Sequence, residues 1–305
     1  MTTHASGATR WPQCAAVAEA AGDPLPGSAP PAQQWFLVEH PGPWERGVLA
    51  DPRVDRAAAG ALDRWAVTHG GRVLFVRRPG RAAADGDGRR RWLRVDSRPG
   101  REGVRAGWFA DERELVGVVG DPSAGAPADG PLFLVCTHGR HDTCCAVRGR
   151  PLAAAFAAAA PDATWECSHV GGCRFAAAAV LLPHGIVLAR VPPEDAAEVA
   201  ARYAAGLLPE SGVRGRASLP PVVQAAQHHA REATGDHGVD TLVPVDVRGD
   251  AAGTWHVTFA DPAATVVLRQ RQVATGRPLT CAATRPGTMR VFDLVDVALG
   301  TPART

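Results

Sequence analysis

"PLFLVCTHGRHDTCC" (residues 131–145) runs from a short apolar stretch into a polar turn that holds three cysteines and two histidines. The apolar run has the length of a buried strand, and it ends on Cys136. "RPLAAAFAAAA" (150–160) follows as a helix by propensity, closed by Pro161. "ATWECSH" (163–169) is a second strand, delivering a second knot, "ECSHVGGC" (166–173). "AAAAVLLPHGIVLARV" (176–191) reads as a hairpin turning at His184-Gly185. "PPEDAAEVAARYAAG" (192–206) opens with prolines and acids and ends on Gly206, as a helix does. The order β-α-β-loop-β-β-α is that of a thioredoxin-like unit within an α/β protein.

On either side the chain has its own character. Residues 1–13 read as a disordered tail, and "PLPGSAPPAQ" (24–33) as a Pro/Gly-rich entry segment. An N-terminal α/β lobe is expected over 14–130: a strand in "WFLVEHPGPW" (35–44), a helix within 54–68, then strands "RVLFVRR" and "RWLRVDS". The thioredoxin-like unit is assigned to 131–210. A C-terminal α+β extension, 211–305, opens with a helix near 221–234 and continues in strands "TLVPVDVR", "TWHVTFA" and "ATVVLRQRQV". One echo links the first two units: "FLVEHPG" (36–42) and "FLVCTHG" (133–139), with Glu39 where the second carries Cys136. It reads either as chance or as the trace of a degenerate thioredoxin-like repeat that has no ligands.

Composition removes several functional classes. The 305 residues carry a formal net charge of +2, which gives no case for nucleic acid as a partner. The Arg/Gly/Asp stretch at 78–92 reads as a solvated turn. No run approaches eighteen apolar residues and the N-terminus has no signal-peptide pattern, so no membrane span is expected and the expected location is cytoplasmic. Seven cysteines in a reducing compartment, five of them between 136 and 173, point to metal or redox chemistry rather than structural disulfides.

The residues themselves leave buried thiols, a disulfide, zinc and an iron–sulfur cluster open. Cys136, Cys145, His169 and Cys173 would supply two ligands from each of two loops, as a two-iron cluster requires. If "HVGGC" forms a helical turn, His169 and Cys173 lie on one face. Gly171 and Gly172 permit close backbone approach and can donate N–H groups to cluster sulfurs. Adjacent side chains diverge, so Cys144 and Cys145 do not serve the same iron. Cys144 reads as a small buried hydrophobe, Cys167 as facing the core, and Cys14 and Cys281 as structural. His138 and His141 either hydrogen-bond or cap such a centre or, the more common case for loop histidines, are solvated. Arg140, Arg148, Arg150 and Arg174 ring the proposed site, where they offset its charge, guide an acidic partner, or are simply solvated.

"LFLVCTHGRHDTCCAVRGRPLAAAF" together with "WECSHVGGCRFAAAAVLLPHGIVLARV" resembles the sucrase/ferredoxin-like family, whose ligand-bearing unit is similar to thioredoxin-like 2Fe-2S ferredoxins. The opening "GDPLPGSAPPAQQWFLVEHPGPW" and the closing "GRPLTC" carry the likeness over nearly the whole chain. Family members with a characterised cluster have Cys-x8-Cys with His-x3-His. By position the resemblance assigns Cys136 and Cys145 as thiolates and His169 as the first imidazole. It also selects Cys145 over Cys144. Position 173 departs from the pattern, with Cys in place of His, so the implied set is three cysteines and one histidine, with Gly171, Gly172 and Arg174 as neighbours of the cluster.

The function implied is electron transfer by one 2Fe-2S cluster to redox protein partners of unknown identity. A structural zinc module is the alternative, because three cysteines and a histidine also suit tetrahedral zinc, although the x8 spacing is long for it. A thiol–disulfide redox protein is a further alternative, weakened by the lack of Cys-x-x-Cys in the second unit. Nothing resembles a glycosidase carboxylate pair, so no sucrase activity is expected.

Overall fold

The computed structural model describes residues 13–80 and 88–300. The expected tail at 1–13 therefore lies outside it but for its last residue, as does the middle of the Arg/Gly/Asp stretch, 81–87. In chain order the elements begin with α1 (Cys14–Ala20), β1 (Gln34–Glu39), α2 (Arg56–Thr68), β2 (Gly71–Arg77), β3 (Arg90–Asp96), β4 (Gly103–Phe109), α3 (Glu114–Gly120) and β5 (Ala126–Ala128). Next come β6 (Leu132–Cys136), α4 (Thr143–Ala159), β7 (Thr164–Cys167), β8 (Ala178–Leu182), β9 (Ile186–Ala189), α5 (Ala196–Ala204) and β10 (Val213–Arg216). The chain closes with α6 (Pro221–Thr234), β11 (Pro244–Gly249), β12 (Thr254–Ala260), β13 (Ala263–Ala274) and β14 (Thr288–Leu299).

The strands form one ten-stranded mixed sheet, in the order β10-β9-β8-β6-β7-β2-β1-β3-β4-β5, and one four-stranded sheet, β11-β12-β13-β14. Within the large sheet the same pattern occurs twice. β1 pairs parallel with β2 and antiparallel with β3, which pairs antiparallel with β4. β6 pairs parallel with β7 and antiparallel with β8, which pairs antiparallel with β9. The two stretches of the sequence echo, Phe36-Leu37-Val38 and Phe133-Leu134-Val135, occupy the matching strands β1 and β6.

The halves meet edge to edge where β2 and β7 run antiparallel, through Val76 opposite Cys167 and Arg77 opposite Glu166. That seam is short, and side chains reinforce it. Glu166 is buried and accepts from Arg77 Nε at 2.7 Å and from Thr137 Oγ1 at 3.1 Å. Both charges are thus satisfied at the join, as burial requires.

Strand alternation sends successive side chains to opposite faces and so builds two cores. Phe36, Val38 and Phe75 pack with Leu62 and Trp65 of α2, while Phe133, Val135 and Leu181 pack with Leu152 and Phe156 of α4. The other face is shared by both halves: Trp35, Leu37 and Leu74 join Leu134, Cys136 and Trp165 beneath α1. The C-terminal sheet packs Val257, Phe259, Val266 and Leu268 against Val222, Val223, Ala226 and Ala230 of α6.

Most expected elements are present, and two differences bear on the site. α4 begins at Thr143, inside the first Cys/His knot, because Asp142 caps it by accepting the Cys144 N–H at 2.9 Å. Residues 169–173 do not form a helical turn: Gly171 and Gly172 have φ of +116° and +78°, and a short 3₁₀ turn starts only at Cys173. α1 and β10 have no counterpart in the sequence reading.

Candidate metal centre

Three loops bring the expected ligands together. Cys136 ends β6, Cys145 lies in the first turn of α4, and His169 and Cys173 bracket the Gly-Gly turn after β7. α4 rests directly on the end of β6 because Gly149 has no Cβ; one built there would collide with the Cys136 carbonyl oxygen. Gly171 and Gly172 need their left-handed conformations, and a side chain at either would strike Pro30 or Arg214.

Cys136, Cys145 and Cys173 are buried, and His169 is half-buried. His169 Nδ1 lies 3.9 Å from Cys145 Sγ and 3.8 Å from Cys173 Sγ. The four donors do not converge on one point. Cys136, Cys145 and His169 have ligand atoms within 4.8 Å of one another, and Cys173 joins His169 and His141 in a second, overlapping set. His141 stacks on the His169 ring with centroids 3.6 Å apart.

Packed this closely, the thiols and the imidazole shift one another's ionisation. A hydrogen bond from Cys145, and then the His169 ring, hold Cys136 well below the ordinary thiol range. Cys173 falls to about 4, first through Cys145 and then through His141 and His169. Cys145, donating to both neighbours, is pushed far up. Burial lowers His169, but its bonds to Cys136 and Cys173 outweigh that and raise it to about 9. Three sulfurs this close cannot all be thiolates unless a cation lies among them. Such a cation removes the conflict and gives a soft set of three thiolates and one imidazole, which fits a 2Fe-2S cluster and, in donor type alone, also zinc.

The surroundings favour negative charge. Arg214 is only 2% exposed, and among the described residues no carboxylate pairs with it. It donates to the Gly171 carbonyl at 2.9 Å and to Ser28 Oγ at 3.1 Å. Burial lowers its pKa to about 9, while Cys173 and Cys136 act in the opposite direction. Arg174 lies 4.2 Å from the Phe175 ring centroid and pairs with Asp23 at 3.1 Å. Of the other arginines named from sequence, Arg140 pairs with Glu45, Arg148 bonds Glu19 at 2.7 Å, and Arg150 is exposed.

His138 corrects the sequence reading, which favoured a solvated position. It is buried, its Nδ1 accepts the His169 N–H at 3.2 Å, and its Nε2 faces the Trp44 carbonyl at 3.3 Å. It thus fixes the backbone of one candidate ligand and ties it to the N-terminal half. The closest sequence signal was its place two residues after Cys136. Cys167 is buried and outside both ligand sets, whereas Cys144 turns away from Cys145 toward Cys14 and Cys281.

Among the described residues, no helix is long and apolar enough to cross a membrane. No curated protein and no solved structure matches the chain. A family model described as sucrase/ferredoxin-like matches residues 25–215, which include both halves of the large sheet and all four expected ligands. The chain belongs to the sucrase/ferredoxin-like family.

Proposed function

We propose that the protein is an electron carrier holding one 2Fe-2S cluster through Cys136, Cys145, His169 and Cys173. The observation that supports this reading is the meeting of three thiols and one imidazole, in which Cys145 and His169 each reach both Cys136 and Cys173, in a chain of the sucrase/ferredoxin-like family. Bound there, the cluster supplies a one-electron couple.

The chain's own residues do the rest. Gly171 and Gly172 let the loop fold close to the thiols, and Arg214 offsets the negative charge of Cys136 and Cys173 from inside the protein. His138 holds the His169 backbone, while Trp44 packs edge-on to His138 with centroids 5.8 Å apart and helps exclude water. Of the four donors His169 is the most exposed, and with His141 it forms the edge nearest solvent. A redox partner would dock over that edge, beside Glu45 and Arg140.

We read 131–210 as a thioredoxin-like ferredoxin domain, supported by the strand order β9-β8-β6-β7, and 14–130 as a degenerate repeat without cluster ligands. The extension, described over 211–300, ties to the N-terminal segment, with the Ala29 N–H donating to Gln224 of α6 at 3.1 Å and Arg277 pairing with Asp23. Seven free thiols suit a cytoplasmic location.

Metal analysis of anaerobically purified protein tests the reading. About two irons and two acid-labile sulfides per chain are expected for this cluster type. Zinc in the Cys136 site with no sulfide, after attempted reconstitution, would exclude it.

A further inference from the structure

We infer a second metal site, made by Cys14, Asp142, Cys144 and Cys281, which takes a single thiophilic divalent cation, zinc. Cys14 is the first residue of α1, Asp142 and Cys144 sit at the N-terminus of α4, and Cys281 lies between β13 and β14. Segments more than a hundred residues apart in sequence thus deliver four donors to one place. Their ligand atoms all lie within 4.8 Å of one another. Cys14 Sγ is 3.6 Å from Cys144 Sγ and 3.6 Å from Asp142 Oδ2, and Cys144 Sγ is 3.4 Å from Cys281 Sγ. Tetrahedral zinc with Zn–S bonds of about 2.3 Å has sulfur–sulfur edges of about 3.8 Å. The observed spacing requires only small adjustments to meet that edge.

Charge supplies an independent reason. Asp142 is 3% exposed, and among the described residues no cationic side chain pairs with it. Its oxygens accept the N–H groups of Cys144 at 2.9 Å and Cys281 at 2.8 Å, which leaves lone pairs facing the three sulfurs. The Cys14 thiol also donates to both oxygens, at 3.7 and 3.6 Å, and a divalent cation would replace these protons with stronger bonds to the same donors. The Cys14 N–H points at Cys281 Sγ, 3.4 Å away, as outer-shell donors do toward metal-bound thiolates.

Successive residues of a helix lie about 100° apart around its axis, so Cys144 and Cys145 serve different centres. With four protein donors and no open position, the site is structural. It clasps both ends of the chain onto α4, next to the first centre. Cys14 and Cys281 lie outside the residues matched by the family model.

The test is zinc and iron analysis of the full chain and its variants, purified anaerobically with zinc in the growth medium. Wild type should hold one zinc beyond any metal in the Cys136 site. Cys136→Ser should keep that zinc. Cys14→Ser and Cys281→Ser should lose it, while keeping whatever metal Cys136 and Cys145 hold. Cobalt(II) added to metal-free Cys136→Ser protein gives a readout that does not depend on purification history: intense tetrahedral visible bands with sulfur-to-cobalt charge transfer, which Cys281→Ser abolishes. A zinc-to-protein ratio in Cys281→Ser equal to that of wild type would overturn the inference, as would cobalt spectra identical in the two proteins, or a Cys144–Cys281 disulfide found by thiol alkylation of the anaerobic protein.

Discussion

The two halves of the large sheet share strand order and pairing sense, yet among the described residues only one carries Cys/His ligand candidates at the ends of its strands. The difference lies in the loops at the strand ends. From β6 to α4 the chain needs six residues, 137–142, and the helix arrives with Cys144 and Cys145 in its first turn. From β1 to α2 it takes sixteen, 40–55, and the matching positions after the capping Asp55 are Ala57 and Ala58. Seven residues beyond the cap, α4 has Gly149 against the Cys136 carbonyl, whereas α2 has Leu62 buried in the core. A small residue lets α4 sit on the strand end; a large one holds α2 away. The longer loop is closed by polar contacts instead, with Trp44 Nε1 donating to the His40 carbonyl at 2.9 Å and Arg53 Nε to Asp51 at 2.9 Å. It then lies over the site of the other half, where the Trp44 carbonyl meets His138. The half without ligands thus contributes the roof.

The largest expected effect sharpens this contrast at the two matching strand ends. Cys136→Ala, Cys145→Ala and Cys173→Ala should each lose the iron, while Glu39→Ala, at the position matching Cys136, should leave iron content unchanged. Glu39 accepts the Arg91 N–H at 2.8 Å. Iron retained in the cysteine variants, or lost in Glu39→Ala, would break the comparison.

The helices should differ next. Gly149→Ala forces α4 off β6 and should cost about 3 kcal/mol, the upper part of the range for overpacking. Gly60→Ala on α2 meets only the exposed tip of Arg64, at 3.3 Å, and should stabilise by about 0.5–1 kcal/mol through helix propensity. Denaturant midpoints moving in the same direction for both would contradict the stand-off described for α2.

The smallest effect concerns how the ligand-free loop is held. Hydrogen bonding to Arg53 lowers the Asp51 carboxyl to about 2. A depressed carboxylate pKa stabilises the fold above the unfolded value, near 4, and that contribution disappears as pH falls through about 2. The melting-temperature gap between wild type and Asp51→Asn should therefore be constant from pH 7 to 5 and shrink below about 4. A gap that persists at pH 2 would remove the ion pair from the explanation.

Much of this was legible in the residues. The strands around Cys136 and the hairpin at His184-Gly185 announce themselves by apolar runs and turn residues, because burial and φ are local demands. The start of α4 was hidden, since its cap, Asp142, lies within a turn whose Cys and His residues dominate the reading. His138 looked solvated because its burial depends on Trp44, ninety-four residues earlier. Cys14 and Cys281 looked isolated for the same reason: their proximity to Cys144 is created by chain ends that meet only in the folded molecule. Short-range pattern shows which residues can bind metal, while tertiary closure decides which of them meet.

The central claim is a two-iron centre with unlike ends, one iron facing two cysteines and the other a cysteine and His169. Mössbauer spectroscopy of oxidised, ⁵⁷Fe-enriched protein tests it directly. The account predicts two quadrupole doublets of equal area, and in His169→Cys these should draw together toward one. A single doublet in the wild-type protein, unchanged by His169→Cys, would contradict the ligand set, and a protein without iron would contradict the cluster itself.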